Sequence, residues 1–210
     1  MENDRMQMEQ AHQKELTIGA VEANLYALLF VLPILLLFGL PYVLIWHEKF
    51  SLSNFTAFMD AWSEWLLLSP LMIILIMAVG VVLHELIHGI TWSLFCKNGH
   101  RSIRYGVMWE FLTPYCHCKE PLALRPYLLG AVMPAVLLGF APSVYGIISG
   151  SLGWLLFGLT FTLAAGGDFI MIWMLRKESK ESFVQDHPVK IGCIVYAANE
   201  QKYEKSPVKA

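Results

Sequence analysis

Residues 67–95 read LLSPLMIILIMAVGVVLHELIHGITWSLF, and this apolar run indicates the class of fold. A helix of about 20 apolar residues crosses the hydrocarbon layer of a bilayer, and this run is longer than that. Glu85 is the only charged residue between Leu66 and Cys96. An ionisable side chain costs about 3 kcal/mol at membrane depth on insertion scales, so a charge found there is a candidate for a functional role. The stretch therefore predicts a membrane-spanning helix that carries a functional group.

The composition of the whole chain is also typical of a membrane protein. Of its 210 residues, 56% are hydrophobic and 15% are charged, whereas soluble domains carry about 25% charged residues. The mean hydropathy is +0.52. Four apolar runs are long enough to span a bilayer, at residues 23–46, 67–95, 127–149 and 152–175. We therefore predict an all-α, polytopic membrane protein with about four transmembrane helices.

The apolar runs predict one transmembrane domain with a polar segment on either side. The N-terminal segment covers residues 1–22, the transmembrane domain residues 23–175, and the C-terminal tail residues 176–210. Residues 1–21 are polar and mixed in charge, which indicates a short helix or a loose tail. In the loop from Glu48 to Trp65, aromatic side chains recur at three- and four-residue spacing, which favours an amphipathic helix in the membrane interface.

The distribution of positive charge predicts the orientation. The loop between the first and second apolar runs contains only Lys49, whereas the other 14 of the 15 Lys and Arg residues lie in the N-terminal segment, the second loop and the tail. Cytoplasmic loops carry the excess of Lys and Arg, so we expect a multi-pass protein of the cell membrane with both termini in the cytoplasm. The net charge of −2 gives no indication of nucleic-acid binding, which leaves membrane lipid as the expected surroundings.

The sequence His84-Glu85-Leu86-Ile87-His88 has the spacing of a helical metal site. Residues four apart project from the same face of a helix, so both imidazoles can reach one tetrahedral zinc ion. Glu85 lies beside them, where its carboxylate can take a proton from a metal-activated water. We therefore interpret His84 and His88 as metal ligands and Glu85 as the catalytic residue. The alternative is a pair of core histidines beside a protonated acid.

A third ligand is expected, because catalytic zinc usually binds three protein side chains and a water. Asp168 is the only acidic residue of the fourth apolar run. The second and fourth runs cross in the same direction, and His84 and Asp168 each lie about 16 residues, or about 24 Å, from the outer end. The two are therefore level, and the active site is expected nearer the cytoplasmic side. Alternatively, Asp168 is a structural polar group that is hydrogen-bonded between helices.

The second loop favours β structure. Ile103–Pro121 is rich in aromatic, β-branched and Cys residues, which predicts a small cytosolic β-hairpin. In the tail, Val189–Tyr196 is predicted as a strand that follows the turn-forming residues Asp186-His187-Pro188. Cys116, His117 and Cys118 alternate across a strand, so they do not converge easily on one metal. His117 is instead a candidate for stabilising an oxyanion near the site.

The third apolar run contains Pro134 and Pro142. Proline removes a backbone hydrogen bond from a helix and favours a kink. Two interpretations stay open: a broken helix that opens a cavity beside the metal, and an ordinary membrane helix, in which proline is common.

With HELIH on one apolar helix and a distant Asp on a later one, the chain resembles the intramembrane zinc metalloproteases of the site-2 protease type. More specifically, it looks like a family of small bacterial integral-membrane proteins regarded as zinc peptidases of the zincin (HExxH) type. The resemblance covers His84–Gly89, the hairpin region ending near Pro121, Gly167-Asp168 and Asp186-His187-Pro188. It implies one Zn²⁺ per chain, bound by His84, His88 and Asp168. It also implies that Glu85 is the general base and acid, and that the substrate is a membrane protein or peptide.

Two other classes of function are compatible with these residues. One is a non-catalytic membrane protein that retains a metal for stability and binds partners or substrates. The other is an ion or metal transporter, which four spans with one site and no obvious inverted repeat make less favoured. Only the peptidase hypothesis requires the carboxylate of Glu85 for catalysis, so the substitution Glu85→Gln separates it from a non-catalytic protein.

Overall fold

The structure is a computed structural model, and it describes residues 13–51, 53–54, 56–57, 60, 67–109 and 113–197. It divides into two compact units. The first, which we call the mixed unit, is drawn from Met1–Tyr26, Ile87–Met133 and Gly167–Ala210. The second, the helical unit, is drawn from Ala27–Leu86 and Pro134–Gly166. Every strand in the described part of the chain belongs to the mixed unit.

The described residues include three helices that are long and apolar enough to cross a membrane: α1 (Ala20–Ile45), α2 (Ser69–Ser93) and α3 (Leu124–Ser149). A fourth apolar stretch consists of α4 (Leu152–Ala164) and α5 (Gly166–Leu175), which meet at an angle of 45°. The protein is therefore mostly helical, as predicted. The fourth apolar run is not one straight helix, because the backbone leaves helical geometry at Ala165, where ψ is 10°.

The prolines of the third apolar run do not interrupt helix α3. A π-helical turn at Ala135–Phe140 lies between Pro134 and Pro142. Helix α1 has the same arrangement, with a π-helical turn at Leu35–Gly39 between two prolines. A wider turn lets a helix continue past a residue that cannot donate a backbone hydrogen bond. Of the two interpretations of these prolines, the structure has a continuous helix with a local change of pitch.

The mixed unit contains two antiparallel sheets. One has four strands in the order β1-β6-β5-β4, and these are β1 (Gln13–Thr17), β4 (Leu122–Ala123), β5 (Phe183–Asp186) and β6 (Gly192–Tyr196). The other is a hairpin of β2 (Ile103–Met108) and β3 (Thr113–Cys118). The hairpin predicted within Ile103–Pro121 is confirmed, while the β content exceeds that of an all-α protein.

The ends and loops of the chain depart in part from the predicted pattern. Residues 13–17 form strand β1, not a helix or a loose tail, because they pair with β6 near the other end of the chain. The predicted strand Val189–Tyr196 begins only at Gly192. The turn predicted at Asp186-His187-Pro188 is present, since β5 ends at Asp186 and the chain reverses before Cys193 of β6, which pairs with Asp186. The amphipathic helix expected from Glu48 to Trp65 falls largely outside the described residues.

A buried core joins the strands of the mixed unit to its helical segments. Its members are Trp92, Ile103, Cys116, Cys118, Leu122, Leu124, Tyr127, Ala131, Leu175, Val184, Cys193 and Val195. Burial of apolar area is the main stabilising contribution to such a core. Trp92 lies one helical turn after His88, so the core begins directly beside the histidine motif.

The helical unit is held together by close backbone approach at glycines. A Cβ at Gly158 of α4 would lie 2.5 Å from the Ser143 nitrogen, and one at Gly146 of α3 would lie 2.5 Å from the Leu155 nitrogen. Small residues at such contacts let helices pack at backbone distance. At the end of α3, the carbonyl oxygen of Gly150 accepts hydrogen bonds from the hydroxyl of Tyr42 at 2.9 Å and the ammonium of Lys49 at 2.6 Å.

Candidate metal centre

Helix α2 carries both histidines of the motif. It is continuous from Ser69 to Ser93, so His84 and His88 lie one turn apart on the same face. Both side chains are buried, with relative exposures of 8% and 4%. Buried polar side chains need partners, because the loss of hydration is otherwise uncompensated. The partners of His88 therefore define the surroundings of the site.

Asp168 is the first of these partners. It lies in the first turn of α5, where the helix N-terminus favours a carboxylate. Its Oδ1 atom is 3.2 Å from Nε2 of His88. The sequence prediction relied on equal depth along two apolar runs, and the structure places the side chains of His88 and Asp168 in direct contact.

The carbonyl oxygen of Gly130, on α3, is the second partner of His88. It lies 2.9 Å from Nδ1 of the imidazole. A carbonyl can only accept, so Nδ1 carries the hydrogen and donates it to Gly130. This arrangement fixes the tautomer and leaves Nε2 for another ligand, which is the usual support of a metal-binding histidine.

The donor atoms fit a zinc ion. In the neutral imidazole with hydrogen on Nδ1, Nε2 has a lone pair that faces the carboxylate of Asp168, which is also an acceptor. Two acceptors 3.2 Å apart repel unless a positive charge accompanies them, either a second proton on His88 or a cation. Histidine nitrogen and carboxylate oxygen are both zinc ligands. With His84 one turn earlier on α2, the group His84, His88 and Asp168 could hold a metal ion.

A stack of aromatic rings supports the orientation of His88. Its imidazole stacks on Trp92, with ring centroids 5.1 Å apart, and Trp92 stacks on Tyr127 at 5.3 Å. The indole N–H of Trp92 donates to the carbonyl oxygen of Tyr127 at 3.0 Å. Packing and this hydrogen bond together restrict the ring to one rotamer, which a precise ligand geometry requires.

The stack ends at a half-buried carboxylate, that of Asp186. The hydroxyl of Tyr127 donates to Oδ1 of Asp186 at 2.5 Å, and the backbone N–H of Cys118 donates to Oδ2 at 2.7 Å. Burial raises the pKa of Asp186 above its usual value, while these two donors act in the opposite direction. Asp186 therefore joins strand β5, strand β3 and the start of α3 at one point behind His88.

Glycine permits the close packing beside His88. A Cβ at Gly130 would lie 2.0 Å from Nε1 of Trp92. The glycines that precede Asp168 do not have this role with respect to α2. Gly166 approaches Ala27, and a Cβ at Gly167 would meet nothing within 4 Å. The close-approach glycine of the site is therefore Gly130 on α3, in the apolar run that also contains Pro134 and Pro142.

The hairpin separates His117 from its neighbouring cysteines. Strand register pairs Tyr105 with Cys116 and Arg104 with His117, so His117 lies on the opposite face of the hairpin from Tyr105. Its ring packs against Tyr115, with centroids 4.4 Å apart, and burial lowers the pKa of His117. Ile103 and Tyr105 are the hairpin residues that reach Gly89 of α2. The structure thus does not bring His117 to the hairpin face that meets the motif helix.

None of the four cysteines forms a disulfide. The Sγ atoms of Cys96 and Cys118 are 3.3 Å apart, and Cys116 and Cys193 lie in the core. Burial raises the pKa of the Cys193 thiol to about 12, and it also raises that of Cys96. Protonated thiols in these positions are packing residues and weak donors.

Glu120 holds the turn that follows α2. Its carboxylate accepts from the backbone N–H of Lys97 at 2.8 Å and from the side-chain amide of Asn98 at 2.6 Å. The hydroxyl of Ser102 also donates to it and is the largest cause of a pKa below the usual value for this carboxyl. Glu120 thereby links the end of the motif helix to the start of the hairpin.

The supporting residues Trp92, Gly130 and Asp186 carry no local sequence signal that connects them to His88. They come from three parts of the chain that meet only in the folded mixed unit. The Asp186-His187-Pro188 stretch is typical of a turn, and the sequence does not show that its aspartate also accepts hydrogen bonds from Tyr127 and Cys118.

A protein-family model with the description "Putative zincin peptidase" matches residues 77–183. The match covers just over half of the 210-residue chain and spans the positions of Glu85, both motif histidines and Asp168. No curated protein and no solved structure shows a significant match to the chain.

The substitution Gly130→Ala is predicted to weaken metal binding. The new Cβ would lie 2.0 Å from Nε1 of Trp92, so the indole must move and the stack on His88 with it. Loss of such support typically lowers metal affinity about 10- to 100-fold, which competition with a zinc chelator would measure. Gly167→Ala is the matched control, since its Cβ meets nothing within 4 Å although it adjoins Asp168. Equal affinity of Gly130→Ala and wild type would contradict the role given to the stack.

Proposed function

The chain belongs to the zincin peptidase family, and on that premise we propose that it is a zinc-dependent peptidase that hydrolyses peptide bonds of membrane proteins within or beside the bilayer. The observation that carries this proposal is the contact of His88 with Asp168 at 3.2 Å. It joins the HExxH helix to the one acidic residue of the last apolar stretch. A family match alone would not indicate which acid completes the site.

The proposed ligands are His84, His88 and Asp168, with one zinc ion per chain. Three side chains leave a fourth position of a tetrahedral ion for water, as in catalytic zinc sites. The fixed tautomer of His88 supports its role, because the Nδ1–H bond to Gly130 leaves Nε2 available. The N-terminal turn of α5 supports the ionised form of Asp168.

Glu85 is the proposed catalytic residue. It follows His84 and lies about 100° further around α2, so its carboxylate flanks the ligand face without belonging to it. When bound, zinc would polarise the scissile carbonyl and lower the pKa of the attacking water towards about 7. Glu85 takes a proton from this water while the water oxygen bonds to the carbonyl carbon. The same carboxyl then gives the proton to the amide nitrogen as the C–N bond breaks.

We further propose that the protein crosses the membrane four times. Strand β1 precedes α1, the hairpin β2–β3 lies between α2 and α3, and β5–β6 follow α5, yet all belong to the mixed unit. Strands that pack in one compact unit would lie on the same side of a membrane, so an even number of crossings separates each group of strands from the next. Helices α1 and α2 supply two, and α3 with the bent α4–α5 pair supplies two more. The excess of Lys and Arg on that side favours the cytoplasm.

This topology predicts the behaviour of reporter fusions in a bacterial host. Alkaline phosphatase folds only outside the cytoplasm, so it should be active when fused after Ser51 and inactive when fused after Ala210. Green fluorescent protein should give the opposite pattern, and the two reporters control for each other's expression. Active phosphatase after Ala210 would contradict four crossings with cytoplasmic ends.

The substitution Glu85→Gln is predicted to abolish peptidase activity while leaving zinc in place. Removing a general base lowers turnover by at least about 100-fold, and Gln keeps the size of the side chain. Labelling of protein N-termini in membranes from cells that express wild type or Glu85→Gln would detect cleavage of any membrane protein, whichever one is the substrate. New N-termini are expected with wild type alone.

The control is Glu48→Gln, an exposed glutamate in the loop after α1, which should give the wild-type set of N-termini. If wild type and Glu85→Gln give identical sets while both bind zinc, the peptidase proposal fails. The non-catalytic protein that binds partners and retains a metal for stability would then be the better account.

A further inference from the structure

We propose that the hydroxyl of Tyr105 donates a hydrogen bond to the carbonyl oxygen of the scissile peptide as negative charge develops on that oxygen. This inference rests on the proposed function and deepens it. Zinc, when bound, would polarise this carbonyl, and a hydrogen-bond donor beside the oxygen adds to that stabilisation; neither Glu85 nor the metal ligands supply such a donor. Removing a single donor of this kind typically costs about 100- to 1,000-fold in kcat.

The contact of Tyr105 with α2 is the first support. A Cβ placed on Gly89 would lie 2.0 Å from the hydroxyl oxygen of Tyr105 and 2.6 Å from Cζ. The phenol therefore rests against the helix backbone in the space that the missing side chain leaves. Gly89 directly follows His88, so the hydroxyl lies next to a proposed ligand position.

The face of α2 that Tyr105 meets is the second support. Gly89 is four residues after Glu85, so the two positions share a helix face one turn apart, about 5.4 Å along the axis. The ligand face with His84 and His88 adjoins it. The hydroxyl of Tyr105, which lies against Gly89, is thus on the side of the helix where Glu85 lies. A peptide aligned along that side would pass both the carboxylate of Glu85 and the hydroxyl of Tyr105.

The hairpin fixes this placement of the phenol. Ile103, two residues before Tyr105 on the same face of β2, also meets Gly89, with its Cγ2 atom 2.9 Å from the constructed Cβ. Ile103 is buried in the core, and Cys116, the strand partner of Tyr105, is buried as well. Tyr105 itself remains 37% exposed.

The same register decides against the other candidates on the hairpin. His117 and Tyr115 lie on the opposite face, where their rings pack at 4.4 Å with a tilt of 39°. Tyr115 covers Gly106 of the neighbouring strand. The two tyrosines of the hairpin therefore lie on different faces, and Tyr105 is the one on the face that meets Gly89 of α2.

Tyr105 keeps its proton throughout the reaction. The water oxygen bonds to the carbonyl carbon, the water proton moves to Glu85, and the carbonyl π electrons move to the oxygen. The hydrogen bond from Tyr105 strengthens with that charge and weakens again when the carbonyl re-forms and the C–N bond breaks. The leaving nitrogen receives its proton from Glu85, so no co-reactant other than water is needed.

The test compares Tyr105→Phe with the matched control Tyr115→Phe in detergent-purified, zinc-loaded protein. Fluorescein-labelled β-casein is the kinetic probe. Tyr105→Phe should lower kcat by about 100-fold or more with little change in KM, while Tyr115→Phe should match wild type. Zinc content should be unchanged in both, because neither residue is a proposed ligand.

A binding measurement adds a readout that does not depend on turnover. A phosphonamidate analogue of the cleaved casein sequence carries an anionic oxygen where the tetrahedral carbon would carry one. Tyr105→Phe should weaken its binding by about the same factor as kcat, since such analogues report transition-state contacts. Binding of the unmodified peptide, measured in the inactive Glu85→Gln background, should be the same with and without the hydroxyl.

Gly89→Ala provides a second variant with the phenol intact. Alanine favours helix over glycine, so the fold is retained, but the added methyl displaces Tyr105. The kcat of Gly89→Ala should fall by about as much as that of Tyr105→Phe. The double variant with both substitutions should have a kcat only slightly lower than either single variant. If Tyr105→Phe loses its zinc, Gly89→Ala alone decides the question.

The outcomes separate the two proposals. If wild type with zinc bound cleaves neither casein nor any membrane protein in the N-terminal labelling experiment, the proposed function fails. If wild type is active and both Tyr105→Phe and Gly89→Ala keep full kcat and analogue binding, only the role of Tyr105 is overturned.

Discussion

The contact between His88 and Asp168 is the constraint on which the rest of the site depends. The carbonyl of Gly130 requires a hydrogen on Nδ1, and Nε2 faces a carboxylate 3.2 Å away. Among apolar helices this arrangement is unfavourable unless a positive charge accompanies it, either a second proton on His88 or a bound cation. A zinc ion would remove that cost, because both groups are ligands of the kind it prefers. The pair thus supplies two of the three side chains of a group that could hold a metal ion.

The mixed unit explains how such a pair is held in place. Strands from both ends of the described chain form one sheet, and the hairpin after α2 packs into the same core. Trp92 connects this core to His88, and Asp186 connects strand β5 to the ring stack through Tyr127. Precise positioning therefore comes from the folded strands, while the apolar helices supply surroundings in which each polar contact is stronger than in water.

Local patterns predicted the helices, the hairpin and the candidate site residues, because helical spacing and apolar runs are properties of short stretches. Pairing between residues 13–17 and β6 has no local signature, and the polar residues of β1 indicated a tail instead. The role of Gly130 is not indicated by the sequence either, since glycine is common in membrane helices. In the structure Gly130 presents its carbonyl oxygen to His88 and leaves space for the indole of Trp92. The position of Tyr105 follows only from strand register combined with the space above Gly89, and neither is visible in a short stretch of sequence.

Zinc content of detergent-purified protein, measured by elemental mass spectrometry, tests the central claim most directly. Wild type should retain about one zinc per chain, and His84→Ala and Asp168→Ala should each lose it, because two remaining ligands do not hold the ion. His117→Ala should keep the wild-type content, since that imidazole lies on the far face of the hairpin. Full zinc in Asp168→Ala, or no zinc in folded wild type after zinc is supplied, would contradict the account.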